Sequence, residues 1–159
     1  MARHKFHGAL ERFDVVASFI SDYYGNNVRY IADVAGGQGM LSRVLAKKYG
    51  YEPEVIDPRG WALRGVQNRA EQYEATMASY YDLVVGLHPD EAIRPVVESA
   101  LQCPTIVIPC CNFWDRSTRL GRDALIDALA EYYESQKINY EKIVFKFAGP
   151  KNIGIATQI

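Results

Sequence analysis

Glycines cluster directly after an acidic residue near the start of the chain, in the order Asp33, Gly36, Gly37 and Gly39. An apolar run, residues 30–34, leads into the cluster, and apolar residues at helical spacing follow it. Glycine allows a tight turn and lets a ligand approach the main chain, where a side chain would block it. Amide groups at the start of the following helix can bind a carboxylate. The pattern predicts the first strand, loop and helix of a nucleotide-binding α/β domain.

The spacing of these glycines differs from two common nucleotide motifs. A dinucleotide fingerprint needs G-x-G-x-x-G, whereas this loop reads G-G-x-G. The sequence also lacks G-x-x-x-x-G-K-[ST], the phosphate-binding loop. The loop therefore favours another kind of nucleotide cofactor.

Acidic residues recur where later strands are predicted to end. Asp57 follows the second predicted strand, and a carboxylate there can accept hydrogen bonds from both hydroxyls of a ribose. Ala70 and Glu71 follow a third predicted strand, where an acidic side chain can accept from the exocyclic amine of an adenine. The alternative for each is a surface carboxylate or a tight turn that binds no ligand.

His88 and Asp90 lie in the loop after the fourth predicted strand, where an acceptor is expected to meet a bound cofactor. His88 can act as a general base on a hydroxyl or contact the cofactor through its main chain. The alternative is a loop histidine bonded to a neighbour. Asp90 is a comparable catalytic candidate, although Asp before a helix is also an ordinary N-cap.

Paired cysteines and two aromatic residues follow the fifth predicted strand. A thiolate at Cys110 or Cys111 can attack a cytosine ring, but small packing residues are the favoured interpretation. A zinc site is not predicted, because Cys103, Cys110 and Cys111 lack C-x-x-C spacing. Residues 112–114, which are Asn112, Phe113 and Trp114, can stack on a base or another planar acceptor, or fold into the core.

Strands and helices alternate in the predicted element order. The predicted helices are approximately 8–24, 39–49, 91–101 (interrupted or restarted at Pro95) and 123–136, and the predicted strands are 29–34, 54–56, 82–85, 105–108, 142–147 and 153–158. The first helix has an apolar face of Leu10, Phe13, Val16, Ala17 and Ile20.

The segment between Asp57 and Asp82 has room for only about two short elements. One interpretation makes residues 63–67 a short third strand, and the other makes residues 66–79 a helix with the third strand missing. The strand is the favoured interpretation.

This alternation predicts an α/β fold: a Rossmann-like, mostly parallel twisted sheet with helices on both faces and a C-terminal antiparallel hairpin strand. A single domain is expected over residues 1–159, with residues 1–27 packing as a helix on the sheet and residues 28–159 forming the core.

The bulk composition is ordinary for a globular protein, with 48% hydrophobic residues and a net charge of −1. The overall charge gives no evidence for a nucleic-acid partner, although basic residues gather near the N-terminus. Three cysteines without a secretory signal or a membrane-spanning run predict a cytoplasmic protein.

Four segments resemble class I S-adenosylmethionine-dependent methyltransferases. D-V-A-G-G-Q-G-M-L-S-R-V-L-A (33–46) looks like their motif I, and is similar to the D-x-G-x-G-x-G-x-L-S motif of a group that includes a tRNA ribose 2′-O-methyltransferase and methyltransferase-like relatives. L-V-V-G-L-H-P-D-E-A (83–92) resembles the G-L-H stretch of that group, and I-V-I-P-C-C-N-F-W (106–114) resembles its V-P-C-C stretch. H-K-F-H (4–7) is a loose match to its K-K-x-H-E segment.

This resemblance implies that S-adenosylmethionine is the cofactor and that S-adenosylhomocysteine is the product. The implied cofactor-binding residues are Asp33, Ala35, Gly36, Gly37, Gln38, Gly39, Asp57, Pro58, Arg59, Ala70, Glu71, Leu87, His88, Lys5 and His7. His88 and Asp90 are the catalytic candidates, and Asn112, Phe113 and Trp114 the substrate-binding ones.

The sequence departs from the pattern of the group at several positions. Ala35 replaces the usual first glycine, Gln38 stands where Lys is common, and Pro89-Asp90 replaces Cys and Gly. The segment after Asp57 is also shortened, and no separate substrate-recognition domain is present in the sequence.

The expected function is a methyltransferase that acts on RNA (tRNA or rRNA). The alternatives are a methyltransferase of a small molecule or protein, and a catalytically silent cofactor-binding subunit. A homodimer or a partner subunit would supply substrate recognition, and neither a metal nor a membrane is expected to take part.

Overall fold

The computed structural model of the chain describes residues 10–158. Four α-helices and seven strands alternate along these residues: α1 (Arg12–Tyr24), β1 (Tyr30–Val34), α2 (Met40–Tyr49), β2 (Glu52–Ile56), β3 (Asn68–Arg69), β4 (Leu83–Leu87), α3 (Ile93–Glu98), β5 (Thr105–Ile108), α4 (Arg122–Ser135), β6 (Tyr140–Val144) and β7 (Ile153–Thr157). None of these helices is long and apolar enough to cross a membrane. Lys5, His7 and the predicted first-helix start at Gly8 lie outside the described residues.

The strands form one sheet in the order β3-β2-β1-β4-β5-β7-β6. β1 pairs in parallel with both β2 and β4. The strand order therefore reverses beside β1, because the chain crosses from β3 on one side of it to β4 on the other. β7 lies antiparallel between β5 and β6. The predicted mostly parallel sheet with a C-terminal antiparallel strand is confirmed. Ligands of such sheets bind beyond the carboxyl ends of the strands near this reversal.

Helices cover both faces of the sheet, because alternate residues of the central strands point to opposite sides. Ile31 belongs to the same apolar cluster as Ile20 of α1 and Leu45 of α2. Its neighbour Ala32 belongs to the cluster on the other face, with Leu129 of α4. β5 is confirmed at its predicted bounds, and each of its residues is buried, as expected of a strand covered on both faces.

The first helix begins later than predicted, at Arg12. Val16, Ala17 and Ile20 are buried as predicted, but the prediction that Leu10 belongs to the buried face is wrong. Leu10 precedes the helix and is 60% exposed.

The third strand exists but lies elsewhere: the prediction of residues 63–67 is wrong, since β3 is Asn68–Arg69. Two main-chain hydrogen bonds fix this register, from Val55 to the carbonyl of Gln67 and from Asp57 to that of Arg69. The alternative helix over residues 66–79 is also wrong, because only a 3₁₀ turn, Ala75–Tyr80, forms there.

The segment predicted to be a strand instead folds back over the glycine loop. The Leu63 amide donates to the Gln38 carbonyl at 2.8 Å. Val66 packs closely on Gly39, since a Cβ added to Gly39 would lie 2.7 Å from Val66 Cγ1. The apolar residues of this segment are therefore used to cover the loop rather than to extend the sheet.

A groove of about 650 Å³ lies between α2, β2 and this connection. Arg43, Lys47 and Arg64 line it together with the exposed side chain of Tyr80. The groove lies where the β2–β3 connection, residues 57–67, supplies no α-helix.

At the other edge of the sheet, β6 exposes Glu141, Lys142 and Val144. Lys142 forms an ion pair with Asp127 of α4 at 2.6 Å.

Candidate active site

A cavity of about 400 Å³ opens at the carboxyl ends of β1, β4 and β5. Its wall comes from six parts of the described chain: the start of α1, the glycine loop, the β2–β3 connection, the loop after β4, the loop after β5, and the β6–β7 loop. The residues that line it are Arg12, Phe13, Asp33, Ala35, Gly36, Gly37, Gln38, Met40, Leu41, Arg59, Trp61, Leu87, His88, Asp90, Cys110, Cys111, Phe147, Ala148, Gly149, Pro150 and Lys151.

The glycine loop turns sharply because several residues adopt the left-handed conformation. Gly37 and Gly39 have φ of +59° and +82°, and Ala35 adopts +54°, which L side chains rarely do. Gly36 is required for another reason, since a Cβ there would lie 2.6 Å from the Asp33 carboxyl group. The loop thus presents main chain to the cavity, and α2 begins immediately afterwards at Met40.

Asp33 is 2% exposed and accepts a hydrogen bond from the Ser42 hydroxyl at 2.8 Å. Burial raises the pKa of Asp33 to about 6, although the hydrogen bonds from Ser42 act in the opposite direction. Asp33 therefore braces the first turn of α2 and carries a charge that burial disfavours at neutral pH.

Asp57, the predicted ribose acceptor, is already hydrogen-bonded within the chain. Oδ1 accepts from the amide and Nε of Arg59, at 3.0 and 2.9 Å. Oδ2 accepts from the second guanidinium nitrogen of Arg59 at 2.7 Å and from the Gly37 amide at 3.0 Å. Burial alone would raise the pKa of Asp57, but these hydrogen bonds outweigh it and hold the pKa below its ordinary value.

The Arg59 guanidinium also lies over the Trp61 ring, 4.6 Å from its centroid. Arg59 and Trp61 line the cavity, whereas Asp57 lies behind them with 2% exposure. A ribose can reach the Asp57 carboxylate only if the guanidinium moves aside.

His88 follows β4 with a left-handed φ of +53° and lines the cavity. Its Nε2 lies 2.8 Å from the Lys151 carbonyl, which can only accept a hydrogen bond. Nε2 therefore carries the proton, and Nδ1 is the unprotonated nitrogen. Burial lowers the pKa of His88, so the ring is neutral at neutral pH.

Asp90 also adopts a left-handed φ, +51°, and accepts a hydrogen bond from the Cys110 thiol at 2.7 Å. Burial and the neighbouring Asp90 raise the pKa of Cys110 to about 12. At neutral pH the group is therefore a thiol, which disfavours Cys110 as a nucleophile.

Several predicted residues lie outside the cavity wall. Glu71 pairs with Arg69 at 3.7 Å, next to Ala70, and Pro58 is an exposed neighbour of Arg59. The structure therefore does not bring the predicted adenine contacts together with the glycine loop.

The predicted substrate-binding residues are likewise engaged elsewhere. The Asn112 amide nitrogen donates to the carbonyls of Asp115 and Thr118, at 2.7 and 2.9 Å. Phe113 and Trp114 are half-buried against the core, and the Arg94 guanidinium covers the Trp114 ring at 4.1 Å. This arrangement corresponds to the alternative in which the loop folds its aromatic residues inward.

Sequence reasoning missed the contributions of α1 and of the β6–β7 loop. The local pattern assigns Arg12 and Phe13 to an ordinary helix, Phe147 to the end of a predicted strand and residues 149–152 to a hairpin connection. The tertiary fold brings both segments to the cavity, and no local pattern signals it.

No protein family matches the sequence, and no curated protein matches it either. Solved structures do match. The methyltransferase domain of bacterial CtHen1 covers 93% of this chain and 98% of its own, with 14% identity and a TM-score of 0.63. The plantazolicin methyltransferase BpumL, solved in complex with SAH, covers 94% and 85%, with 11% identity and a TM-score of 0.62. DesVI of Streptomyces venezuelae covers 93% and 92%, with 14% identity and a TM-score of 0.56. At these identities the likeness shows the fold alone: this chain has the Rossmann-like fold of class I methyltransferases.

Proposed function

We propose that the protein is a methyltransferase that binds S-adenosylmethionine in the cavity beyond β1, β4 and β5. The glycine loop carries this proposal, because it opens main chain onto a cavity of about 400 Å³ at the sheet reversal. The structure of BpumL with SAH supports the same cofactor class for this fold.

The methionine side of the cofactor fits the residues present. Gly36 cannot carry a Cβ without striking Asp33, and Gly37 leaves the space in front of Arg59 open. This cradle accepts a ligand against the main chain, and the volume lies within the range of about 300–1,000 Å³ usual for ligand pockets.

The ribose side fits only after a rearrangement. Both oxygens of Asp57 are taken by Arg59 and Gly37, so a ribose must displace the guanidinium. The exposed side of Arg59 leaves room for that movement, since its side chain is 43% exposed.

The bound cofactor would supply an activated methyl group, and the chain would align the acceptor and exclude water. In this arrangement His88 is the general base. Its Nδ1 carries no proton, its ring is held by the Lys151 carbonyl, and it lines the cavity beside Asp90.

For the acceptor we propose RNA, as the G-L-H and P-C-C segments suggest. Arg12 and Lys151 line the cavity and bring positive charge towards an anionic acceptor, alongside the carboxylates of Asp33 and Asp90, whereas the charge of Arg59 is paired with Asp57. A small-molecule acceptor is the second candidate. It is favoured by the inward packing of Phe113 and Trp114, which removes the expected stacking surface for a base.

Titration calorimetry with S-adenosylhomocysteine tests cofactor binding. We expect saturable binding to the wild-type chain and its loss in Gly37→Leu, which would fill the cradle. Gly25→Leu is the matched control, since Gly25 has a similar φ of +54° but no atom within 4 Å of an added Cβ and lies at the end of α1. Lack of binding at high micromolar ligand, in protein shown to be folded by circular dichroism, would overturn the proposal.

Transfer of a labelled methyl group into total RNA, protein extract or a small-metabolite fraction then separates the acceptor classes. Label in RNA supports the first candidate, and label only in the metabolite fraction replaces it with the second. Binding without transfer to any fraction would mark a silent subunit.

A further inference from the structure

Two thiols and a carboxylate converge at one side of the cavity. Asp90 follows β4, and Cys110 and Cys111 follow β5. A carboxylate oxygen and the two sulfur atoms all lie within 4.8 Å of one another. We propose that these three side chains bind one thiophilic divalent cation of the zinc class.

The spacing of the three atoms suits a single ion. Zinc bonds of about 2.3 Å to sulfur and 2.0 Å to oxygen, in a tetrahedron, separate the ligand atoms by roughly 3.5–3.8 Å. Cys110 Sγ and Asp90 Oδ1 are now 2.7 Å apart, joined by the thiol proton. Replacing that proton with a metal ion needs the pair to open by only about 1 Å.

Sheet register, rather than sequence spacing, creates this cluster. Leu87 of β4 lies opposite Ile108 of β5, and the His88 amide donates to the Ile108 carbonyl at 2.8 Å. The loops that follow therefore leave the sheet side by side, which places Asp90 against Cys110. C-x-x-C spacing is not required for this cluster, because Asp90 comes from the loop after β4 and not from the segment that carries the cysteines.

The chemistry of the ligands selects the kind of cation. Two sulfur atoms favour zinc and similar thiophilic ions, whereas magnesium and calcium prefer oxygen ligands only. Three protein ligands leave a fourth position open, as in catalytic zinc sites. All three residues line the cavity, so the site borders the space where an acceptor would enter.

This site is independent of the cofactor. Its failure would leave the methyltransferase proposal intact, and the metal can be measured without any methyl transfer.

Cobalt(II) titration of the reduced, metal-free protein under anaerobic conditions tests the site. We expect binding of one cobalt ion per chain, with a near-ultraviolet thiolate-to-cobalt band that zinc abolishes in competition. Cys110→Ser and Cys111→Ser should each reduce the band and weaken affinity at least about tenfold, the lower end of the loss found for outer-shell partners. Asp90→Asn should keep the band but weaken affinity to a similar degree.

Matched variants control for the substitutions themselves. Cys103→Ser removes the third cysteine, which packs half-buried in the core away from the cavity, and should leave the titration unchanged. Glu91→Gln removes the exposed carboxylate next to Asp90 and should also have no effect.

Cobalt binding that is absent, or that survives both Cys→Ser changes, would overturn the proposal. Binding that depends on the cysteines but is unaffected by Asp90→Asn would overturn the three-ligand site. Because Cys111 is exposed, its variant remains informative if Cys110→Ser fails to fold.

Discussion

Two parts of the chain, the β1–α2 unit and the β2–β3 connection, meet at the glycine loop but are constructed differently. The first has a five-residue strand and a ten-residue helix whose Leu41 and Leu45 are buried. The second leads into a strand of only two residues, β3. Its intervening segment covers the loop through Val66 and occupies Asp57 with Arg59.

The difference separates two requirements of a cofactor site. Main-chain access at the glycine loop, the proposed methionine side, depends on Gly36 and Gly37. Asp57, the proposed ribose acceptor, is in contrast held by Arg59, a side chain of the shortened connection. The β2–β3 connection contributes no α-helix to the sheet. Instead, its Val66 covers the glycine loop and its Arg59 occupies the Asp57 carboxylate.

The contact between Gly39 of the glycine loop and Val66 of the connection should have the largest effect on stability when it is disturbed. Gly39→Ala would place a Cβ 2.7 Å from Val66 Cγ1 and 2.9 Å from Val55 Cγ2, at a φ of +82°. We expect a loss of about 2–4 kcal/mol in the free energy of unfolding, from left-handed strain and overpacking together. Urea denaturation measures it.

Gly50→Ala, at the other end of α2, is the matched control. Gly50 has a φ of +73° but no neighbour within 4 Å of an added Cβ. Strain alone should lower the free energy of unfolding of Gly50→Ala by about 1–2 kcal/mol. Equal losses for the two variants would show that the connection does not press on the loop.

A smaller effect is expected from Asp33, on the β1 side. Its folded pKa of about 6 lies above the unfolded value, so the cost of its buried charge is fully present above pH 6. That cost declines as the pH falls from about 6 towards 4, and the wild-type protein gains stability there. Asp33→Asn should be more stable at pH 8, by up to about 3 kcal/mol, and this advantage should shrink by roughly 1 kcal/mol at pH 5. An advantage that is the same in urea denaturation at both pH values would contradict the assignment.

The smallest effect concerns Arg59, on the side of the connection. If cofactor binds as proposed, Arg59→Gln should tighten S-adenosylhomocysteine about tenfold, because a ribose no longer displaces a charged hydrogen-bond pair. Calorimetry measures this, with Arg64→Gln as the control, since Arg64 is exposed and lines the other groove. Weaker binding in Arg59→Gln would mean that the guanidinium contacts the ligand and does not compete with it.

Strong local signals made the first part predictable. Val34, the glycines after it and Gly50 mark where a strand ends and a helix begins and stops, and β5 is recognisable from its β-branched residues. The apolar side chains of Leu63 and Val66 are compatible with a buried strand and with a segment that covers the glycine loop. Tertiary packing therefore decides between the two, and the local sequence does not. The cavity wall was not predictable in full, because it depends on contacts between residues that are far apart in the sequence. Phe147 and Lys151 reach it only because β7 inserts beside β5, and Phe113 and Trp114 leave it because the core accepts their rings.

The two outer strands bear on how molecules of this protein meet one another. An edge strand offers unpaired main-chain groups on which a strand from another copy can build, and natural sheets counter this with short or charged edges. β3 has two residues, and β6 exposes Glu141 and Lys142, with Lys142 tied to Asp127. Both edges are therefore poor templates for strand addition, which protects a concentrated solution of the folded protein against growth into fibres.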